Sequence, residues 1–290
     1  MFHRTTKSGI VILILYVDDM VITGSDSAAI SSLKRHLQSE FEMKDLGFLR
    51  YFLGIEVAYS SRGYLLSQQK YISDILARAT IHDPAISTSA SCTTPMELHL
   101  KLRRDDGSPL PHPTRYRELV GSLIYLTATR PDISQAVQVL SQFMHAPTTT
   151  HYAALLRVLR YLRSTITRSL FYSSDSPLTL RAYSDAGWAD DPDTRRSTTG
   201  YYIFLGTSLI SWRSKRQEVV SRSSTEAEYR AMADTTLEIH WLCEFLSDIG
   251  ISIKTPIPMH CDNKSAIAIA SNPVFHNRTK HIDIDCHITR

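Results

Sequence analysis

Two groups of acidic residues have the residue types and spacing of sites that transfer phosphoryl groups on nucleic acid. The first group is Asp18 and Asp19, which follow Tyr16 and Val17 in an apolar segment. Carboxylates at strand ends or facing a core are costly unless something pairs with them, and a divalent metal is the usual partner. Two such ions about 4 Å apart are shared by polymerases and nucleases. The second group lies in the last third of the chain and comprises Asp185 in YSDAGW, Glu228 in STEAEY, Asp262 in HCDNKSA and Asp283 in KHIDIDCH.

The elements around the second group predict that its members meet. Asp185 is expected just past the end of a strand, Leu178–Tyr183, and Asp262 at the end of another, Ile257–Cys261. A long helix, about Thr225–Ile249, connects the two strands, which makes them parallel neighbours whose carboxyl ends form a site. The order β-β-β-α-β-α predicts a mixed sheet with a right-handed crossover.

Two glutamates near the start of that helix have different predicted roles. Glu228 falls on the apolar stripe that faces the sheet, where a carboxylate needs a partner such as Asp185, Asp262 and metal. Glu226 forms a capping box with Ser223, which favours a structural role. Without metal, so many carboxylates repel one another, so at least one of their pKa values is expected to be raised.

The first part of the chain reads as a mixture of strands and helices. Glycines and the spacing of apolar residues predict two strands joined across the Asp pair, a helix, and a hairpin. These elements are Ile10–Val17, Met20–Thr23, Ser27–Phe41, Tyr51–Tyr59 and Gly63–Leu66.

The middle of the chain is predicted to be helical. A helix over Gln68–Ala79 precedes a segment rich in Thr, Ser and Pro, residues 80–114, which is the best linker candidate. Three helices follow, one over Tyr116–Thr129, one from Pro131 to about Phe143, and one over Thr150–Ser164 with Thr150 as its cap.

Basic residues recur on the third of these helices. Arg157, Arg160 and Arg163 stand three residues apart on one side of it. A solvated face and a stripe that contacts phosphates explain this spacing equally well.

Composition excludes several classes of protein. A hydrophobic fraction of 43% with 21% charged residues is typical of globular proteins. A net charge of +3 is too small to indicate a nucleic-acid partner by itself. The apolar run Ile10–Leu15 is too short for a membrane span. The four cysteines, which form no CxxC pair, are expected to be reduced thiols with no disulfide partner in an intracellular protein of unknown compartment.

A series of motifs in order along the chain resembles the Pol polyprotein of copia-type LTR retrotransposons. The resemblance covers the end of reverse transcriptase followed by ribonuclease H, and it extends over essentially the whole chain. The motifs are YVDDMVITGS, LGFLRYFLGIEV, YRELVGSLIYLTATRPDIS, YSDAGWADDPDTRRSTTGY, SRSSTEAEYRAM, CDNKSAI and RTKHIDIDCH.

The resemblance implies a mixed α+β and α/β fold in three parts. Residues 1–66 correspond to the C-terminal part of the polymerase palm, and residues 67–176 to the thumb and connecting helices. Residues 177–290 correspond to a ribonuclease H-like domain with a mixed five-stranded sheet and helices. Asp185, Glu228, Asp262 and Asp283 then match the metal-binding carboxylates of the nuclease, and Asp18 and Asp19 match two of three palm carboxylates.

The sequence departs from the family pattern at three places. The usual SDADWAG is SDAGWAD here, so that Gly187 and Asp190 exchange residue types and one acidic side chain has moved. The segment after His287 differs from the family, which leaves Asp285 as a competitor of Asp283. The third palm aspartate precedes YVDD in the family, so the chain is expected to begin inside the palm and to lack polymerase activity.

The resulting expectation is a nuclease that cuts the RNA strand of RNA–DNA hybrids with Mg²⁺ or Mn²⁺. The alternative is an inactive, nucleic-acid-binding or inert remnant of a retroelement. Hybrid contacts would use groove shape, phosphates and 2′-hydroxyls. The candidate contacts, each equally explained as ordinary surface charge, are Arg195, Arg196, Lys215 and Arg216.

Overall fold

A computed structural model describes residues 1–88, 90–271, 285 and 288–289, and it shows a mixed α/β protein. The described strands form three sheets. In chain order the strands are β1 (Phe2–Thr6), β2 (Gly9–Tyr16), β3 (Asp19–Gly24), β4 (Tyr51–Phe52), β5 (Ile55–Ser60), β6 (Gly63–Ser67), β7 (Leu170–Ser173), β8 (Leu180–Gly187), β9 (Thr198–Leu205), β10 (Ser208–Arg216) and β11 (Met259–His260).

Most helices lie within a few residues of the predicted positions, but the short helix Ala85–Thr88 lies in the segment that was predicted to be a linker. A 3-10 turn, Pro131–Ile133, precedes the helix Ser134–Ser141, so Pro131 begins a 3-10 turn where an α-helix was predicted. None of the described helices has the length and apolar character needed to cross a membrane. The helices are α1 (Ser27–Glu40), α2 (Gln69–His82), α3 (Ala85–Thr88), α4 (Pro113–Leu126), α5 (Ser134–Ser141), α6 (Thr149–Ser164), α7 (Ser224–Asp248) and α8 (Lys264–Ser271).

The first sheet is a small antiparallel sheet at the N-terminus. Strand β2 lies between β1 and β3, and its hairpin with β3 closes at the pair Tyr16 and Asp19. Helix α1 begins at the N-cap Asp26, whose carboxylate accepts a hydrogen bond from the amide of Ala29. No residue of α1 is buried, so this sheet and its helix contribute little core.

The second sheet joins distant parts of the sequence. Its order is β4-β5-β6-β7, and Leu66 of β6 pairs with Leu170 of β7. Sequence patterns did not predict β7, because a four-residue strand carries too little periodicity to be recognised. The pairing places a strand from the end of the helical region beside the strands that precede it.

Helices α2, α4, α5 and α6 enclose the largest apolar core. Ile86 and Leu102, from the segment predicted to be a linker, are buried in this core. Arg130 is also buried there, where its guanidinium pairs with Asp132 at 2.7 Å. Helix α6 begins one residue earlier than predicted and its N-cap is Thr148, since the Thr148 hydroxyl and the His151 ring form a capping box. The predicted cap, Thr150, is therefore wrong.

The third sheet has the order β10-β9-β8-β11, with β11 parallel to β8 as predicted. Helix α7 packs against β8 and β9 on one face of this sheet. The described part contains four strands, against the five that the resemblance implies. Strand β8 extends beyond Tyr183 to Gly187, because the buried small residues Ser184 and Ala186 continue its alternation. Asp185 thus lies within the strand, and the prediction that it follows the strand is wrong.

Candidate metal centre and substrate groove

Two of the predicted carboxylates, Glu228 and Asp262, lie within 4.8 Å of each other where β8, β11 and α7 meet, and Asp185 lies nearby but outside this group. Asp185 is on β8, Glu228 lies on α7, and Asp262 comes two residues after the end of β11. The parallel register pairs His260 with Tyr183, so the chain after β11 continues past Asp185. Glu228 is close enough to Asp185 and Asp262 to feel both of their charges. The structure therefore brings these three side chains from separate elements into one region, in which Asp185 does not belong to the group of ligand atoms that lie within 4.8 Å of one another.

Glu228 is the buried member of the group, with 5% of its surface exposed. Burial, together with the negative charges of Asp185 and Asp262, raises the pKa of Glu228 to about 7. The amide of Ala186 opposes the shift by donating a hydrogen bond to the carboxylate. A buried carboxylate that two others repel is stabilised by a cation, so the donor set fits a divalent metal.

A thiol stands beside the carboxylates. The Sγ atom of Cys261 donates to Oε2 of Glu228 at 3.8 Å. One ligand atom from each of Glu228, Cys261 and Asp262 lies within 4.8 Å of the others. From the sequence, Cys261 was expected only to be a reduced thiol, and its position directly before Asp262 is the signal that could have indicated a role in the site.

Glu226 occupies the structural role predicted for it. Its amide donates to Oγ of the N-cap Ser223 at 3.2 Å, and its carboxylate accepts from the amide of Arg222 at 2.8 Å. The same carboxylate pairs with Arg230 at 2.8 Å, one turn further along α7. These contacts hold Glu226 at the helix start, away from the chemistry predicted for Glu228.

The fourth predicted ligand, Asp283, lies outside the described residues. Its competitor Asp285 is described, and its carboxylate lies 3.6 Å from Nε of Arg230. Burial raises the pKa of Asp285, and the Arg230 charge opposes that shift. Asp285 therefore shares the Arg230 side chain with Glu226.

A cleft of about 520 Å³ opens in front of Asp185 and Asp262. Its floor is the face of the third sheet opposite α7, and the first residues of α5 form part of its wall. The carboxyl group of Asp190 also lines it and covers Gly187, since a Cβ atom at Gly187 would lie 2.7 Å from Oδ2 of Asp190. Burial raises the pKa of Asp190. The family pattern has an acidic residue at position 187, and this chain has it at position 190. The Asp190 side chain nevertheless lines the same cleft as Gly187.

An aromatic row crosses the floor of this cleft. Strand pairing aligns Trp212 with Tyr202, Tyr202 with Tyr183, and Tyr183 with His260, one residue from each of the four strands. The Tyr183 and His260 rings are stacked, with their centroids 4.8 Å apart. The sequence did not reveal this row, because its four residues are aligned only by the register of β8, β9, β10 and β11.

A second row of aligned residues lies beside the aromatic row and includes Asp185. The pairing aligns Ser214 with Gly200 and Gly200 with Asp185. A Cβ atom at Gly200 would have no neighbour closer than 3.9 Å. Gly200 thus leaves open floor beside Asp185, where the backbone of a ligand can approach.

Several predicted basic residues gather at a second cavity of about 560 Å³ between α5 and β10. Arg196, Lys215 and Arg216 line it, and it shares Trp212 and Ser214 with the first cleft. The two cavities together form one groove, which we call the sheet groove. Arg216 also pairs with Asp191 at 2.7 Å.

The remaining basic candidates have other surroundings. Arg195 is exposed in the loop before β9, with a φ of 57°. Arg157 pairs with Glu97 at 3.2 Å, and Arg163 donates a hydrogen bond to the carbonyl of Ile86. Nε of Arg160 is buried without a hydrogen-bond partner. Much of the α6 stripe therefore holds the segment 86–97 against the helices.

The structure places Asp18 and Asp19 in an exposed hairpin turn. Within the described residues, the one group of three metal-ligating side chains is Glu228, Cys261 and Asp262. Asp18 and Asp19 therefore have no third ligand in the part of the chain that is described.

Comparisons with known proteins identify the family. Residues 1–98 match the reverse transcriptase (RNA-dependent DNA polymerase) family. The chain is 48% identical over its whole length to the Pol polyprotein of transposon RE1 from Arabidopsis thaliana, of which it spans 19%. A protein of transposon Ty5-1 from Saccharomyces cerevisiae is 34% identical over 82% of this chain and 77% of its own length. The chain spans about a fifth of the large polyproteins it matches. It belongs to the family of Pol polyproteins from copia-type retrotransposons.

Proposed function

We propose that the third sheet and its helices form a metal-dependent nuclease that cuts the RNA strand of RNA–DNA hybrids. The observation that carries this proposal is the proximity of Glu228 and Asp262 beside an open cleft, with Asp185 near enough for its charge to act on Glu228. Carboxylates from separate elements that meet in a cleft are the usual ligands of Mg²⁺ in enzymes that act on phosphates.

The residues of this chain would divide the work of the site. Asp185 and Asp262 line the cleft, and their oxygens would hold an ion that contacts the scissile phosphate, since carboxylates and phosphate repel one another directly. Glu228 would hold the ion from the buried side, and its carboxyl group would lose its proton on cation binding. Bound Mg²⁺ or Mn²⁺ supplies an activated water and offsets the charge of the leaving oxygen.

The sheet groove is the proposed binding surface for the hybrid. Its aromatic row offers rings against which bases or sugars can stack, and its basic end offers Arg196, Lys215 and Arg216 to phosphates. Recognition by backbone shape and 2′-hydroxyls needs no reading of base sequence. The open floor at Gly200 permits close approach of the sugar-phosphate backbone to Asp185.

The proposed chain has three parts, with the boundaries that the sequence indicates. Residues 1–66 contribute the palm portion of a reverse transcriptase, residues 67–176 the thumb and connection, and residues 177–290 the nuclease. The family match over residues 1–98 supports the first assignment. Asp18 and Asp19 lack a third ligand among the described residues, so DNA synthesis is not proposed for this chain.

Cleavage of a labelled RNA–DNA hybrid in Mg²⁺ tests the proposal. The purified chain should cut the RNA strand and leave duplex DNA intact, and Asp185→Asn should abolish cleavage. Glu226→Gln is the matched control, because it changes a glutamate on the same helix that serves the cap, and it should retain cleavage. If the chain binds the hybrid but Asp185→Asn and the wild type are equally inactive, the alternative of an inactive binding remnant is correct.

A further inference from the structure

We propose that Cys261 makes the carboxylate group a binding site for thiophilic divalent ions such as Zn²⁺ and Cd²⁺. Glu228, Cys261 and Asp262 would be the ligands. The inference rests on the proposed function for the consequence of binding, because an ion held there would withdraw two carboxylates from Mg²⁺. Binding itself depends on the geometry of this chain alone.

The distances between ligand atoms fit a small ion. Zn–S bonds of about 2.3 Å and Zn–O bonds of about 2.0 Å at a tetrahedral angle separate the two ligand atoms by roughly 3.5 Å. Sγ of Cys261 and Oε2 of Glu228 are 3.8 Å apart, and an oxygen of Asp262 lies within 4.8 Å of both. Small side-chain rotations would bring all three atoms into contact with one ion.

The thiol of Cys261 determines which divalent ions bind more tightly at this site. Mg²⁺ prefers oxygen ligands and gains nothing from sulfur, whereas zinc binds thiolate, imidazole and carboxylate together. The thiol proton of Cys261 leaves to solvent as the metal–sulfur bond forms. The same pair of carboxylates is thus shared by two kinds of ion, and only the thiophilic kind uses Cys261.

Cys243 provides a matched control. It is half-buried on α7, as Cys261 is half-buried after β11. Cys243 packs against the apolar core between α7 and the third sheet, together with Leu242 and Leu246. A Cys243→Ser change therefore removes a thiol of similar burial from an apolar environment and leaves the carboxylate group untouched.

The test is a titration of the metal-free, full-length chain with Cd²⁺. Sulfur-to-cadmium charge transfer gives ultraviolet absorption only when a thiolate binds the ion. We expect this absorption to saturate in the wild type and in Cys243→Ser, and to be absent in Cys261→Ser. Affinity for Zn²⁺ in competition with a chelating dye should fall by at least about tenfold in Cys261→Ser, because the loss of a partner that only hydrogen-bonds to a ligand already costs about that much.

Two further variants test the zinc site even if Cys261→Ser does not fold. Cys261→Ala replaces Cys261→Ser if the serine variant fails to fold by circular dichroism, and Glu228→Gln should also weaken Zn²⁺ binding while the thiol is present. Unchanged Zn²⁺ affinity in the folded Cys261 variant, or cadmium absorption that survives it, would overturn the proposal. Absence of hybrid cleavage in Mg²⁺ with cadmium absorption intact would instead reject only the proposed nuclease function.

Discussion

Two glutamates on the first turns of α7 lie in opposite surroundings. Glu226 accepts a backbone hydrogen bond and pairs with Arg230, so its negative charge is compensated. Glu228 is buried beside Asp185 and Asp262, and burial followed by these charges raises its pKa to about 7. Removal of the negative charge should therefore change the free energy of unfolding in opposite directions at these two positions.

Replacement of each glutamate by glutamine should separate these roles in metal-free protein. The raised pKa of Glu228 means that the wild type loses stability as pH rises from 4.5 through 7, because the folded state retains a proton that the unfolded state releases. Glu228→Gln should therefore raise the free energy of unfolding at pH 8 by on the order of 1–2 kcal/mol, with little gain at pH 4.

Glu226→Gln should lower the free energy of unfolding by about 1 kcal/mol, the typical value of a helix cap. Urea denaturation in EDTA at pH 4 and pH 8 measures both variants. Equal effects of the two substitutions at pH 8 would contradict the assignment of Glu226 to the cap and Glu228 to the site.

Asp191, in the loop that leads to β9, gives a pH dependence of the opposite sign. Burial alone would raise the pKa of Asp191, but hydrogen bonds from Thr194, followed by Arg216, lower it to about 2. The ionised carboxylate therefore contributes about 2 kcal/mol above pH 3.8, which is lost as pH falls through 2. The difference in unfolding free energy between wild type and Asp191→Asn should shrink between pH 5 and pH 2. A difference that stays constant would be evidence against this network.

At the scale of single elements, α6 carries its own start signal. The Thr148 side chain accepts a hydrogen bond from the amide of His151, and Nδ1 of His151 accepts one from the amide of Thr148. Thr148 is also buried, and its hydroxyl donates to the carbonyl of Asp106. The cap thus joins the helix to the segment before α4.

Thr148→Ala should destabilise the protein by about 1–2 kcal/mol, since it removes an N-cap that is also buried. Thr150→Ala, two residues along, removes a threonine that has no capping role and should change stability by less than about 0.5 kcal/mol. Thermal or urea unfolding of the two variants gives the comparison. The reverse order would restore Thr150 as the cap.

At the scale of the whole molecule, burial is unevenly distributed. The helices α2 and α4–α6 and the third sheet with α7 each enclose an apolar core. Residues 1–47, all of which the structure describes, bury only Val11 and Asp26. The two cores are joined where Nε1 of Trp212 on β10 donates to the carbonyl of Thr127 at 2.9 Å.

A chain of residues 48–290 should therefore unfold much like the full-length chain. We expect its free energy of unfolding to change by less than about 1 kcal/mol, which corresponds to roughly 2–4 °C in Tm for a protein of this size. Scanning calorimetry of the two proteins measures this. A loss of cooperativity on removal of residues 1–47 would show that the N-terminal sheet stabilises the rest.

Local pattern was enough to predict the elements that carry the site. The 3–4 residue spacing of α7 distinguished Glu228 from Glu226, and the strand–helix–strand order predicted that β8 and β11 are parallel neighbours. These features depend on periodicity within one element or on the order of neighbouring elements, both of which are written directly in the sequence.

Tertiary structure alone decided which side chains share a surface. The pairing of β7 with β6 joins segments that are far apart in the chain. The aromatic row depends on the register of β8–β11, of which only β11 is distant in sequence. The neighbourhood of Cys261 and Glu228 depends on how α7 packs against the sheet. A one-residue change in register would reverse the faces of a strand, so the alternation of apolar residues favours one register, but it does not say which strand is the partner. For that reason the sequence determined the carboxylates, while only the fold determined the groove and the thiol beside them.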